Sequence, residues 1–323
     1  MSKILGLPQK NRKPGAGAGT AAQPGPPKKS AFIAIPTYNE AENIEALINQ
    51  LEKVIEKIAA PIAAPHAGAH GNTGTHWKID ILIIDDKSPD GTANIVMRLQ
   101  HTYPNLHLIS GDKKGLGMAY RRGFQYILEG RAPGRAPGRT PENGAHTPAP
   151  RAHHNSAHGA PTNHPPDYIF QMDADLQHNP QDIPRFLAQT EKGYEFIIGS
   201  RYIPGGDYPN WSFKRKIYSW GANLIARYIA GIYHIEDCTS GFRCISTKFL
   251  RSFDLKEISG NGYAFQMSLL HAASKKRIPI IQIPILFPNR NKGKSKLGHQ
   301  DIGEFFVNAI KLRFKRYKWY DRQ

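Results

Sequence analysis

Two acids one residue apart, Asp173-Ala174-Asp175, close an apolar run, and Gln177 follows at the same spacing. On an extended chain, residues i and i+2 point the same way, so Asp173, Asp175 and Gln177 are expected to converge on one cation. Oxygen-only donors of this kind suit Mg2+ or Mn2+ rather than zinc. Such an ion bridges a diphosphate and offsets charge on a leaving group. Acids that merely cap the next turn would need neither the second carboxylate nor Gln177. A second acidic pair, Asp85-Asp86, also ends an apolar run. Like charges side by side repel unless a cation or a donor uses them, so Asp86 in particular reads as functional. Ser88, Asp90 and Gly91 just after it are explained by a tight turn into a capped helix.

Pro36-Thr-Tyr38-Asn-Glu40 follows the first apolar run. Pro36 ends a strand, the Tyr38 ring can stack on a base, and Glu40 can accept hydrogen bonds from a base or ribose. A plain strand-to-helix turn with Asn39 as its N-cap explains the same residues. Separated cations complete the set: Arg201 after Phe196-Ile-Ile-Gly, then Lys214-Arg215-Lys216, then Arg290, Lys294 and Lys296. Arginine grips phosphate bidentately and lysine supplies point charge. Such cations suit a donor diphosphate and an anionic acceptor, although most surface lysines and arginines are merely solvated.

These residues must be held by strands and helices. Ala31–Ile35, Ile79–Ile84, Leu106–Ile109, Tyr168–Met172 and 196–199 read as strands. Helices are predicted from Asn39 to about Lys57, from Thr92 to Gln100 and from Met118 to Leu128. Strands alternating with helices imply one α/β domain, a mostly parallel sheet with helices on both faces. Ligands of such sheets collect at the carboxyl ends of the strands, where every motif above falls. Three segments read as disordered, being rich in Pro, Gly, Ala or His: residues 1–29, about 59–77 and 130–166. The folded part is placed at 30–310, with a basic aromatic tail at 311–323.

The formal charge is +17, which ordinarily points to nucleic acid or an anionic membrane. Most of it sits in residues 1–30, in 130–166 and in 311–323. The remaining body is nearly neutral, which argues against a nucleic-acid-binding core and leaves a membrane surface open. In the tail, bulky apolar residues between Ala309 and Tyr320 alternate with cations, a pattern suited to an interfacial segment or to a frayed, solvated end. Cys238 and Cys244 make neither a disulfide framework nor a metal knuckle and read as reduced thiols. No apolar leader is expected, and the longest apolar stretch, Ile278–Phe287, falls short of the ~20 residues a spanning helix needs.

In their order these blocks resemble the polyprenol-phosphate (dolichol-phosphate) mannosyltransferases, inverting enzymes of glycosyltransferase family 2 with the GT-A fold. The resemblance rests on 36–40, 83–92, GLGMAY at 115–120, MDADLQHNP at 172–180, GSRY at 199–202, KRKIYSWGAN at 214–223, DCTSGFR at 237–243, GYAFQM at 262–267 and GKSKLG at 293–298. It implies a nucleotide pocket lined by Pro36, Tyr38, Glu40, Ile84 and Asp86, with GDP-mannose as donor. It implies a metal, Mg2+ or Mn2+, on Asp173, Asp175 and Gln177, with Ala174 against the donor. Arg201, Arg290 and Lys296 match phosphate positions, and Arg201 with Arg215 would hold the acceptor phosphate. Asp175 and Arg201 would be catalytic, and Arg201→Ala is expected to hurt turnover far more than folding. The acceptor would be dolichyl or another polyprenyl phosphate. The protein would sit peripherally on the cytosolic face of the endoplasmic reticulum membrane, held by small anchoring subunits. Two positions depart from the family pattern: Ser268, where an acid is usual, and Ser110, where an arginine is common. A UDP-sugar transferase to the same lipids, and a non-catalytic sugar-nucleotide-binding subunit, are the competing readings.

Overall fold

A computed structural model describes residues 29–60, 77–130, 165–289 and 299–320. Its first strands, Lys29–Thr37 (β1) and Trp77–Asp85 (β2), run parallel, with Lys29 opposite Trp77 and Thr37 opposite Asp85. Side chains alternate between the two faces. Ile33, Ile35, Ile81 and Ile83 enter one core, while Ala34, Leu82 and Ile84 enter the other. Burial on both faces is why these strands read as unbroken apolar runs.

Helices α1 (Ile44–Ala59) and α2 (Thr92–Leu99) cover the first face, and α3 (Leu116–Leu128) covers the second. The remaining strands are β3 (Leu106–Ser110), β4 (Tyr168–Gln171), β5 (Phe196–Ser200), β6 (Arg243–Ser246) and β7 (Ile280–Pro284). The remaining helices are α4 (Ile183–Thr190), α5 (Phe213–Leu224), the short α6 (Thr247–Leu250), α7 (Gly262–Lys276) and α8 (His299–Arg313). A single π turn, Ile225–Ile229, prolongs α5. The sheet order is β3-β2-β1-β4-β6-β5-β7, with β6 antiparallel to β4 and β5 and every other pairing parallel. Strand order reverses between β1 and β4, and the crevice above their carboxyl ends is where such a sheet lodges its ligand.

The single α/β domain with a mostly parallel sheet is the one expected, with local differences. The first helix begins at Ile44, not Asn39: Asn39 turns left-handed (φ +59°), so the cap position falls to Asn43. Strand β4 stops at Gln171, one residue short of Met172. At the edges of the low-complexity segments, Lys29 already lies in β1, Ala59 ends α1, and Trp77 opens β2 with a buried ring. Most of 1–29, 59–77 and 130–166 lies outside the described residues, as do Arg290 and Lys296. Helix α8 carries the chain past 311, and the residues after it fold back. Tyr317 packs in the core with its hydroxyl 2.9 Å from His271 Nδ1, and Trp319 stands edge-on to Phe253. The described residues up to 320 are thus neither frayed nor wholly offered to lipid. Its outward apolar residues are Phe306, Val307, Ile310 and Phe314. Ser268 is buried between α7 and α8, where Asn308 Nδ2 donates to it at 2.8 Å. No described helix is long and apolar enough to cross a membrane.

Burial, with help from Lys275 and Lys315, pulls the His271 imidazole down to about 4. An unfolded histidine titrates near about 6.5, so between these pH values the unfolded chain binds more protons and stability rises with pH. Urea melts should therefore lose up to about 1.4 kcal/mol per pH unit from this group as pH falls through that window. A His271→Phe variant should show a shallower slope; an unchanged slope would mean His271 is not held neutral.

Candidate active site

At the carboxyl ends of β1 and β2 the two neighbouring acids have different employments. Asp85 is spent on the loops beside it: it accepts from Thr37 Oγ1 (3.0 Å), Ser88 N (2.9 Å) and Ser88 Oγ (2.6 Å). Asp86 instead receives Arg122 Nη2 from α3 at 2.6 Å. Each carboxylate has its own donors, which removes the repulsion that made the pair conspicuous. The turn after them does more than turn. Ser88 Oγ accepts from Asn39 N, Thr92 Oγ1 from Glu40 N, and Asp90 Oδ2 from Ala41 N. These bonds pin the 38–41 loop to the next loop. Burial disfavours the Asp90 carboxylate, but donors from Thr92 and Ala41 outweigh it and hold the group below its ordinary value.

Tyr38 and Glu40 stand on that pinned loop. Lys113 Nζ lies 3.5 Å from the Tyr38 ring centroid, and Glu40 Oε2 accepts from Asn43 Nδ2 at 2.9 Å. Pro36 does not end its strand. It is paired within β1 opposite Ile84, and Thr37 is the last residue. Ile84 does not line a pocket with its side chain: it is fully buried under α3, and a Cβ on Gly123 would meet its Cδ1 at 2.3 Å. Ser110 ends β3 beside Asp85, and Gly111 N donates to the Asp85 carbonyl.

Asp173, Asp175 and Gln177 lie beyond the end of β4, in a turn whose Leu176 has φ +63°. Strand alternation therefore does not aim them; the turn does. Asp173, with its side chain 32% exposed, is steadied through its N–H on His178 Nδ1 at 3.1 Å. Asp175 Oδ1 accepts from Gln177 N at 3.1 Å, and Gln177 Nε2 donates to the Pro288 carbonyl. With Nε2 so committed, the amide oxygen is the end of Gln177 that can meet a cation. Ala174 is buried between the two acids. Among the described residues no cluster of three His, Cys, Asp or Glu side chains could hold an ion alone. Two carboxylates and an amide oxygen fit Mg2+ or Mn2+, which complete their shells with water and substrate phosphate.

Arg201, just after β5, is buried and gripped. Its Nε and Nη2 donate to Asp237 at 2.7 and 2.6 Å, its backbone N donates to the same carboxylate, and Nη2 also reaches Thr239 Oγ1. Burial alone would lower the Arg201 pKa, but Asp237 outweighs it and holds it above the ordinary value; Asp237 is correspondingly held below its own. Trp211 and Phe287 stand over the guanidinium at 5.2 and 5.4 Å. Arg215, on α5, lies 3.9 Å over the Trp211 ring and donates to Asn289 Oδ1 at 2.9 Å. Gln177, Arg201 and Arg215 thus all meet the 287–289 segment, which leads into the stretch holding Arg290 and Lys296.

The loop that grips Arg201 is itself held from three strands and helices. Gln282 Oε1 accepts from the N–H groups of Glu236 and Asp237, Asn223 Oδ1 accepts from Cys238 N, and Arg243 donates to the carbonyls of Cys238, Ser240 and Gln266. Arg243 is fully buried with no acid among these partners, and burial pulls it down to about 10. A Cβ on Gly241 would lie 3.3 Å from Asp173 Oδ2, so the same loop abuts the acids. The roles of Asp237, Thr239, Arg243, Trp211 and Arg122 escape sequence reasoning. DCTSGFR stands out as a block without revealing which neighbour it grips, and two adjacent arginines within a mostly apolar α3 were the available signal for Arg122. Removing Arg201 would strand a buried carboxylate, so Arg201→Ala should damage folding as well as turnover, contrary to the expectation above.

The model of Glycosyl transferase family 2 matches residues 32–128 and 163–258. The undecaprenyl-phosphate mannosyltransferase of Micrococcus luteus is 30% identical over 278 residues, 86% of this chain and 91% of that one. The polyprenol monophosphomannose synthase of Mycolicibacterium smegmatis is 29% identical over 280 residues, 86% of this chain and 84% of its own. Among solved structures, Mycobacterium tuberculosis glucosyl-3-phosphoglycerate synthase with Mn2+, UDP-glucose and phosphoglyceric acid superposes with a TM-score of 0.53. At 15% identity over 87% of this chain and 80% of that one, it supports the fold.

Asp237→Ala should cost about 3–5 kcal/mol in denaturant melts, because it leaves Arg201 buried and unpaired, while Thr239→Val should cost about 1 kcal/mol. Equal small losses from both would show that the ion pair does not hold this loop.

Proposed function

The chain belongs to glycosyl transferase family 2, and from that premise we propose that it moves mannose from GDP-mannose to dolichyl or another polyprenyl phosphate. Relatives bearing such names support the sugar and the acceptor class. The observation that carries the lipid acceptor is helix α5. Of its twelve residues Asn223 alone is buried, whereas Phe213, Ile217, Tyr218 and Trp220 face solvent beside the cations Lys214, Arg215 and Lys216. A water-soluble acceptor gives no reason for an exposed aromatic face around a phosphate-binding arginine. An acceptor whose phosphate emerges from a bilayer does. Helix α8 packs against the π turn that prolongs α5, and Arg313 donates to the Tyr233 hydroxyl just beyond that turn, joining the outward apolar residues of α8 to the same body.

The chemistry asks little of the protein in proton transfer. A phosphate monoester is already anionic at neutral pH, so it attacks without a base. A phosphate oxygen forms the bond to the anomeric carbon, the bond from that carbon to the diphosphate breaks, and GDP departs with the electron pair, inverting the configuration. Bound at Asp173, Asp175 and Gln177, Mg2+ or Mn2+ would supply neutralising charge to the diphosphate. Tyr38, Glu40 and Asp86 hold the nucleoside end, and Arg201 and Arg215 set the two phosphate-bearing groups in line. The peripheral placement on the cytosolic face of the endoplasmic reticulum membrane rests on the resemblance to dolichol-phosphate enzymes alone.

Radiolabelled GDP-mannose should label a short polyprenyl phosphate in the presence of Mn2+, and Asp175→Ala should lower the rate by about 100-fold or more. Transfer from a UDP-sugar instead would overturn the donor assignment, and no transfer from any donor would favour a binding subunit. In vesicle flotation, Trp220→Ser should weaken membrane association by on the order of 10-fold; unchanged flotation would remove α5 from the membrane.

A further inference from the structure

Arg122 has no place in the site as the sequence presented it, yet it reaches the group that the nucleotide pocket depends on. Its Nη2 lies 2.6 Å from Asp86 Oδ1, and Asp86 is 9% exposed in its side chain against 28% for Arg122. The arm crosses Gly111 at the carboxyl end of β3, where a Cβ would stand 2.4 Å from Nη1. The absence of a side chain at 111 is thus what lets the guanidinium lie there. Lys113, from the same β3–α3 connection, covers the Tyr38 ring. The carboxylate and the ring assigned to the base are therefore each faced by a cation, Arg122 from α3 and Lys113 from the connection that leads into it.

Neutralising Asp86 would need no more than a point charge. A guanidinium offers more, a planar fork whose second terminal nitrogen remains directed beside the first after Nη2 has taken Asp86. Arg122 also borders a cavity of about 290 Å³ with Gly111, Asp112, Lys114, Met118, Arg121 and Gln125. That space lets the arm re-aim toward an incoming base.

We propose that Arg122 and Asp86 together read the base of the donor nucleotide. Asp86 accepts from a ring N–H, and Arg122 donates to the exocyclic oxygen beside it. This rests on the reading that Tyr38 and Asp86 hold the base. An N–H next to a C=O occurs in guanine (N1–H and O6) and in uracil (N3–H and O4). Guanine adds an amino group for the second carboxylate oxygen. Adenine and cytosine reverse the pattern, setting an amino group against the guanidinium and a ring lone pair against the carboxylate. The pair is thus a filter that selects guanine, tolerates uracil and rejects the other two.

Calorimetry of GDP, UDP, ADP and CDP binding to the full chain with Mn2+ tests this. The natural protein should favour GDP over ADP. Arg122→Ala should shrink that ratio by roughly 5- to 150-fold, the discrimination a good bidentate base contact provides. Arg122→Lys keeps the charge without the fork and should lose most of the preference while melting near the natural temperature. A ratio kept in full by Arg122→Lys, or kept by Arg122→Ala while Asp86→Asn collapses it, would overturn the role given to Arg122 and leave the pocket assignment standing. A ratio untouched by Asp86→Asn as well would remove the base from this pocket altogether, and the proposed donor site with it.

Discussion

The site hangs on one buried ion pair. Arg201 and Asp237 are both withdrawn from water, and two charges taken from solvent are tolerable only with close geometry and further hydrogen bonds. Here the geometry is a two-nitrogen grip, supplemented by the Arg201 backbone and Thr239. The requirement then spreads outward. Asp237 must be held by Gln282 of β7, its neighbour Cys238 by Asn223 of α5, and the carbonyls of the same loop by Arg243 of β6. Three elements that follow β5 in sequence are thus tied to one cation at its carboxyl end.

That arrangement accounts for how a reaction without a catalytic base could be run. With a nucleophile that arrives charged, the remaining task is to align two anions and stabilise the departing one, and electrostatics fixed in advance do this without reorganising during the reaction. Arg201 cannot swing, because its guanidinium is bound on one edge and covered by Trp211 and Phe287. Arg215 is more exposed and sits on the helix with the apolar face. The two arginines therefore differ in kind: one is a fixed part of the floor, the other stands among the exposed apolar residues of α5.

Much of this was legible because doubly buried strands and their carboxyl ends leave plain marks. The runs at 31–35 and 79–84 could only be interior strands, and acids closing such runs had to lie at the ligand edge. Asp86, Asp173 and Asp175 were placed at that edge in this way. What escaped were contacts between distant segments. Nothing near Arg201 announces Asp237, 36 residues later. β6 is four residues long and contains an arginine, so it carries no strand signal. Ile84 was misplaced because its position in a motif says nothing about which face it takes, and here the period of two sends it under α3. The tail misled in part, since alternation of aromatic and basic residues looks the same whether the rings face lipid or, like Tyr317, a buried histidine.

The central claim is that the acceptor is a lipid phosphate presented at a membrane rather than a phosphate in solution. The most direct measurement offers both at once: GDP-mannose and Mn2+ with vesicles carrying polyprenyl phosphate, in the presence of 3-phosphoglycerate. The account predicts that mannose appears in the lipid fraction and that GDP release ceases when the lipid phosphate is omitted. Mannose on the soluble phosphate, with GDP released at the same rate without vesicles, would contradict it.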